Sequence, residues 1–141
     1  RQRQMCIRDS CDVIHQNQEN DFPRVVFDGS LNSIVRQYDA GIATVISRNA
    51  SIYRSGSTVA GNYDENSSFY KRQKALLDVI DYHIYEDKEG FQAALKKSKT
   101  DFVVTQIGLV DHDFLTECGC ELIAQTESCY IYRFDYSNPR K

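Results

Sequence analysis

Two hydrophobic periods alternate along this chain, and that alternation restricts what it can fold into. Short apolar runs at Arg24-Val25-Val26-Phe27, Ile42-Ala43-Thr44-Val45-Ile46, Thr58-Val59-Ala60 and Asp101-Phe102-Val103-Val104-Thr105-Gln106-Ile107 read as strands. Between them, apolar residues recur at helical spacing. Leu31, Ile34, Val35 and Tyr38 fall on one face of a helix that Ser30 can cap. Ser67 or Ser68 caps the longest helix, from about Phe69 to Tyr82. Its inner side is Phe69, Gln73, Leu76, Leu77 and Ile80, and Lys71, Arg72, Lys74 and Asp78 point to water. Asp87 opens another helix with the stripe Phe91, Ala94, Leu95 and Ser98, whose first turn Gly90 weakens modestly. Asp111 or Asp113 caps a short helix through Cys118, and Gly119 ends it. Cys120 to Gln125 and Cys129 to Asp135 alternate around Thr126-Glu127-Ser128, the pattern of a closing hairpin. Helical crossovers between strands imply parallel pairing. The expected fold is therefore a single α/β domain: a mixed, mostly parallel sheet of five or six strands flanked by helices, with a closing antiparallel C-terminal hairpin.

The 141 residues provide for one domain with a real core, and an apolar fraction of 41% with a charged fraction of 26% is ordinary for a globular chain. A net charge of −3 gives no reason to expect nucleic acid as a partner. The densest basic group, Lys96-Lys97-Ser98-Lys99, sits at a helix end, where it complements the dipole. No apolar run approaches the ~20 residues that span a bilayer, so a soluble chain is expected. Residues 1–10, Arg1 to Ser10, resemble translated sequencing-adaptor read-through of the kind that contaminates metagenomic assemblies. Residues 11–22 are polar and read as a linker. The expected division is an artefactual or disordered segment at 1–22, the α/β domain at 23–135, and a loose tail at 136–141.

Complete catalytic motifs are missing from the sequence. No G-x-S-x-G, G-x-G-x-x-G or G-K-[ST] occurs, so nucleotide binding would rest on fold analogy alone and the cofactor is left unknown. Cys118-Gly119-Cys120 is C-x-C with no second pair at metal-ligand spacing, which favours buried thiols over zinc. Whether Cys11, Cys118, Cys120 and Cys129 pair is left open. Asp111-His112-Asp113 reads as helix capping before metal binding, and His15 and His83 lack a partner nearby in sequence. Asn49-Ala50-Ser51 and Asn66-Ser67-Ser68 match the glycosylation sequon, a triplet frequent by chance. The strongest candidate is the polar loop before the longest helix: Asn62, Tyr63, Asp64, Glu65 and Asn66, with two adjacent carboxylates on a strand-to-helix turn.

Three pieces of this chain, in order, carry a resemblance. They are Val59-Ala60-Gly61-Asn62-Tyr63-Asp64-Glu65-Asn66, then Thr100-Asp101-Phe102-Val103-Val104, then Tyr130-Ile131-Tyr132-Arg133-Phe134. With the helices and hairpin between them, residues 24–135 resemble the soluble carboxyl-terminal domain of polytopic GT-C-type membrane glycosyltransferases. That superfamily includes oligosaccharyltransferase- and mannosyltransferase-like proteins. The resemblance implies an extracytoplasmic (periplasmic or extracellular) domain that packs on the membrane-embedded part of the same protein, near a lipid-linked sugar or glycan acceptor. It also implies a domain without its own catalytic carboxylates, because those lie in the membrane part. Two departures stand out. The His-Arg of the family loop is Asp64-Glu65 here, which reverses the local charge and disfavours phosphate. The chain also has no Trp, so the oligosaccharyltransferase acceptor motif is missing and acceptor binding is not carried over.

Overall fold

The structure, a computed structural model, describes residues 2–28, 31, 32, 35, 38, 39, 41–46 and 68–135. The elements are α1 (Gln2–Asn17), β1 (Arg24–Phe27), β2 (Ala43–Thr44), α2 (Ser68–Ile80), α3 (Lys88–Lys97), β3 (Phe102–Gln106), α4 (His112–Glu117), β4 (Cys120–Gln125) and β5 (Cys129–Phe134). Residues 31, 32, 35 and 38, between β1 and β2, are helical. The strand expected at Thr58 to Ala60 and the tail at 136–141 lie outside the described residues.

One five-stranded sheet runs in the order β2-β1-β3-β5-β4. β1 pairs in parallel with β2 and with β3, and β5 pairs antiparallel with β3 and β4. The expected class is therefore the observed one: an α/β domain whose parallel strands are followed by an antiparallel hairpin. Strand alternation divides the side chains between two cores. Val25 and Phe27 of β1, Phe102 and Val104 of β3, and Cys129 and Ile131 of β5 face one layer. Val26, Val103, Tyr132 and Phe134 face the other. The first layer is closed by α1 with Leu31 and Val35. The second is closed by α2, α3 and α4 through Leu76, Leu77, Ile80, Phe91, Leu95, Phe114 and Leu115. A sheet buried on both faces explains why the central strands are continuous apolar runs.

Local chemistry sets the helix boundaries. The Asp87 carboxylate accepts from the Gly90 N–H at 2.8 Å, which caps α3. Asp111 does the same for α4, accepting from the Asp113 N–H at 3.0 Å. Beyond Cys118, Gly119 takes φ +96°, the left-handed conformation that ends a helix most easily without a Cβ.

Three expectations are corrected. Residues 11–17, read as part of a linker or a frayed entry, belong to helix α1, which runs Gln2–Asn17. Ile7, Ser10, Cys11 and Ile14 stand at i, i+3, i+4 and i+7 and are all buried, at 1%, 0%, 2% and 0% exposure. The stripe escapes notice because it straddles the junction at Cys11 and contains a serine. The run Ile42 to Ile46 pairs only over Ala43–Thr44, yet its flanks do serve both layers: Ile42 packs in the first core, Val45 and Ile46 in the second. Tyr38 was expected on an inner face and is 50% exposed, at the last described helical position before β2.

Candidate functional site

Parallel strands aim their carboxyl ends at one edge of a sheet. Here the chain leaves β1 toward β2 on one side and returns to β3 on the other, so β1 is the point where the winding reverses. In open α/β sheets the crevice outside the carboxyl ends at such a reversal is where ligands bind. Several buried or half-buried polar side chains gather there.

Asp28, the residue after β1, is 4% exposed. Its carboxylate accepts from the Leu31 N–H at 3.2 Å and from the backbone N–H of Gln106, the last residue of β3, also at 3.2 Å. The Gln106 side-chain amide donates to both Asp28 oxygens at 3.3 and 3.4 Å. Asp28 thus caps the helical stretch after β1 while joining the carboxyl ends of β1 and β3. Two further amides close the side toward β2. Asn32 Nδ2 donates to the Ile46 carbonyl at 3.1 Å, and Gln73 Nε2 of α2 donates to the Val45 carbonyl at 3.0 Å. Gln73, expected on the inner face of its helix, is 1% exposed. Asn32 Oδ1 is buried without a hydrogen-bond partner among the described residues. Past β3, Gly108 takes φ +87°, and among the described residues nothing lies within 4 Å of a Cβ placed there. Ile107 and Leu109 beside it are exposed.

The candidate residues Asn62, Tyr63, Asp64, Glu65 and Asn66 lie outside the described residues. The helix that follows them, α2, begins at Ser68 and is tied by Gln73 to the end of β2. Asp28, Asn32, Gln73 and Gln106 were missed as a group by sequence reasoning. Only Asp28-Gly29 after an apolar run offers a signal, and it is read as a turn.

The other candidates resolve into structure. Asp111 is a helix cap, and His112 Nδ1 lies 2.8 Å from the Tyr132 hydroxyl, whose ionisation burial opposes. No group of three or more His, Cys, Asp or Glu residues able to hold a metal occurs among the described residues. Cys11, Cys118 and Cys120 are buried free thiols, and Cys129 is disulfide-bonded. Burial, reinforced by the charge of Asp39, pushes the Cys11 thiol up to about 12. Burial pushes Cys118 up to about 11 against the opposing charge of Lys88, and raises Cys120 as well. None of the three is a thiolate near neutral pH. A polar groove of about 140 Å³ lies at the opposite edge of the sheet, lined by Asn17, Glu19, Asn20, Asp101, Arg133 and Asp135 among others. Its groups hold the chain together. Asp101 accepts from Asn20 Nδ2 at 2.7 Å and the Arg24 N–H at 2.9 Å, and Arg133 donates to the Asn17 carbonyl at 3.0 Å.

Fold and site together define an open mixed-sheet α/β domain with a polar carboxyl edge centred on a buried carboxylate. No protein-family model, no curated protein and no solved structure matches the chain. Among the described residues, no helix is long and apolar enough to cross a membrane.

Proposed function

We propose that this chain is a non-catalytic, extracytoplasmic domain of a membrane-embedded sugar-transfer protein, where it shapes or covers the acceptor side. Its functional rim is the loop Asn62 to Asn66 together with the carboxyl edge of the parallel strands. The reading rests on the resemblance in the order of sequence pieces. The observation that carries it furthest is the anchoring of α2: the helix that the loop enters is tied by Gln73 to the residue after β2, at the carboxyl edge of the parallel strands. That edge is where α/β domains meet their ligands. Asp64 and Glu65 give the rim a negative charge, which favours neutral hydroxyl-rich acceptors over phosphate. The partners are the membrane part of the same parent protein and a lipid-linked sugar or glycan, and nucleic acid is not among them. The genomic sequence upstream of α1 tests the reading. Several membrane spans encoded in frame ahead of α1 are expected, and a start codon directly ahead of α1 with no hydrophobic segment before it would sink the proposal.

A second reading is favoured by Asp28, a buried carboxylate at the strand reversal. On it, the chain is a free-standing α/β domain that binds a small ligand or nucleotide at the carboxyl ends of its strands. Thermal melting with nucleotide sugars and divalent ions decides this: a ligand-dependent rise in Tm supports it, and no shift with any of them counts against it.

A further inference from the structure

His15, in the last turn of α1, has both ring nitrogens engaged. Nε2 lies 2.8 Å from Oδ2 of Asp39, and Nδ1 lies 2.5 Å from Oε1 of Gln18. A carboxylate only accepts, so Nε2 carries a hydrogen. The orientation of the Gln18 amide is fixed independently: its nitrogen donates to the backbone carbonyls of Asn20 at 3.0 Å and Asp21 at 3.4 Å, neither of which can donate in return. The amide oxygen is therefore the atom that faces Nδ1, and Nδ1 carries a hydrogen too. Both nitrogens donating is the imidazolium. Asp39 is itself pinned, because its other oxygen accepts from the Gly41 N–H at 2.8 Å in the turn just before β2.

We propose that His15 is a proton-operated clamp: as an imidazolium it ties the last turn of α1 and the bend at 18–21 to the turn at 39–41, and loss of its proton opens that tie. Neutral His15 must leave one nitrogen without a hydrogen, facing either the Asp39 carboxylate or the Gln18 oxygen, and lone pair then meets lone pair. The groups around the ring are Cys11 and Asp12 on its own helix, Gln18 in the bend, and Asp39 and Gly41 across from it. The Cys11 thiol donates to Asp39 as well. Accordingly, the bond to Gln18 and then the bond to Asp39 hold His15 above the ordinary histidine value of 6.5. Burial works against ionisation of Asp39, but the bonds from His15 and Gly41 keep its carboxyl below the usual range. For a base raised on folding, the stabilisation is complete below pH 6.5 and fades as pH climbs through the folded value. The clamp therefore opens as pH rises above the ordinary histidine value. The apolar stripe of α1 stays in place, so opening loosens the end of the helix without undocking it.

The test combines two measurements on the whole chain. Ring ¹⁵N shifts followed by pH titration should show both nitrogens of His15 protonated past pH 6.5, with a midpoint that falls toward the ordinary value in Asp39→Asn. Amide exchange at 15–21 and 39–41, corrected for intrinsic rates, should be up to about fivefold faster at pH 8 than at pH 6, the ceiling for a part-exposed ion pair. In His15→Gln that pH response should vanish. A His15 midpoint at or below the ordinary value would overturn the clamp, and so would the same pH response persisting in His15→Gln.

Discussion

Replacing Ile14 by Ala asks whether α1 is a working layer of the fold. Ile14 is fully buried on the stripe that α1 lays against Val25, Phe27, Phe102, Val104 and Ile131. The substitution removes about three carbon groups from that contact, roughly 2.4 kcal/mol of transfer free energy at about 0.8 kcal/mol each. The cavity left behind adds to this. Neighbours held on a sheet cannot close in, which puts the expected loss at about 3–4 kcal/mol within the ~2–5 kcal/mol span of such deletions. For a chain of this size that is a fall in Tm of roughly 6–15 °C. Urea denaturation should show a lower midpoint with an unchanged slope. Arg8→Ala, one helical position beyond Ile7 on the exposed side, is the control and should stay within about 0.5 kcal/mol of the parent. If Ile14→Ala costs no more than Arg8→Ala, α1 does not cover the sheet and the first core is misassigned.

Other outcomes follow from the same geometry. Asp28→Ala strands the Leu31 and Gln106 N–H groups in a buried site and should cost about 1–3 kcal/mol in urea denaturation. Asp28→Asn, which keeps one acceptor oxygen, should cost less, and equal losses would mean the carboxylate bonds contribute nothing particular. Gly90→Ala ought to gain about 1 kcal/mol of helix propensity. Its Cβ would instead stand 2.1 Å from Asp87 Oδ2, so the cap must swing away and the expected net change in stability is near zero or negative. A full gain would show that Asp87 does not cap α3. The thiols predict an alkaline limit. Cys118 ionises at 9.0 when unfolded and at about 11 in place, so unfolding releases a proton between those values and stability should fall as pH rises across that window. Cys118→Ala should make the fall shallower, with Cys11 and Cys120 still contributing across the same window, and an unchanged slope would contradict the burial of this thiol.

Elements whose chemistry is local were the legible ones. The hairpin declares itself by period-two alternation over two adjacent runs, and β3 by an apolar run bounded by Asp101 and Gly108. α3 and α4 show their caps at Asp87 and Asp111, three and two residues ahead of the N–H groups they hold. Features that depend on distant partners stayed hidden. The pair His15 and Asp39 spans 24 positions, and Asp28 with Gln106 spans 78. Neither residue type announces such a contact in sequence. α1 was misread because, among its described side chains, the buried stripe holds two large aliphatic ones, Ile7 and Ile14. A serine and a cysteine lie between them, which a hydrophobic period weighs lightly and a sheet face accepts readily. β2 was overestimated because an apolar run reveals burial, not pairing: Val45 and Ile46 are buried in the second core although neither is a strand residue.

Under the proposed function, the loop Asn62 to Asn66 forms the working rim of a sugar-transfer protein. The most direct measurement is transfer to acceptor by the intact parent protein carrying Tyr63→Ala or the pair Asp64→Asn and Glu65→Gln, with Lys97→Ala on the far end of α3 as control. The loop variants should lose about tenfold or more in kcat/KM for the acceptor, equivalent to at least ~1.4 kcal/mol, with the control unchanged. Loop variants that fold and transfer sugar as well as the control would contradict it.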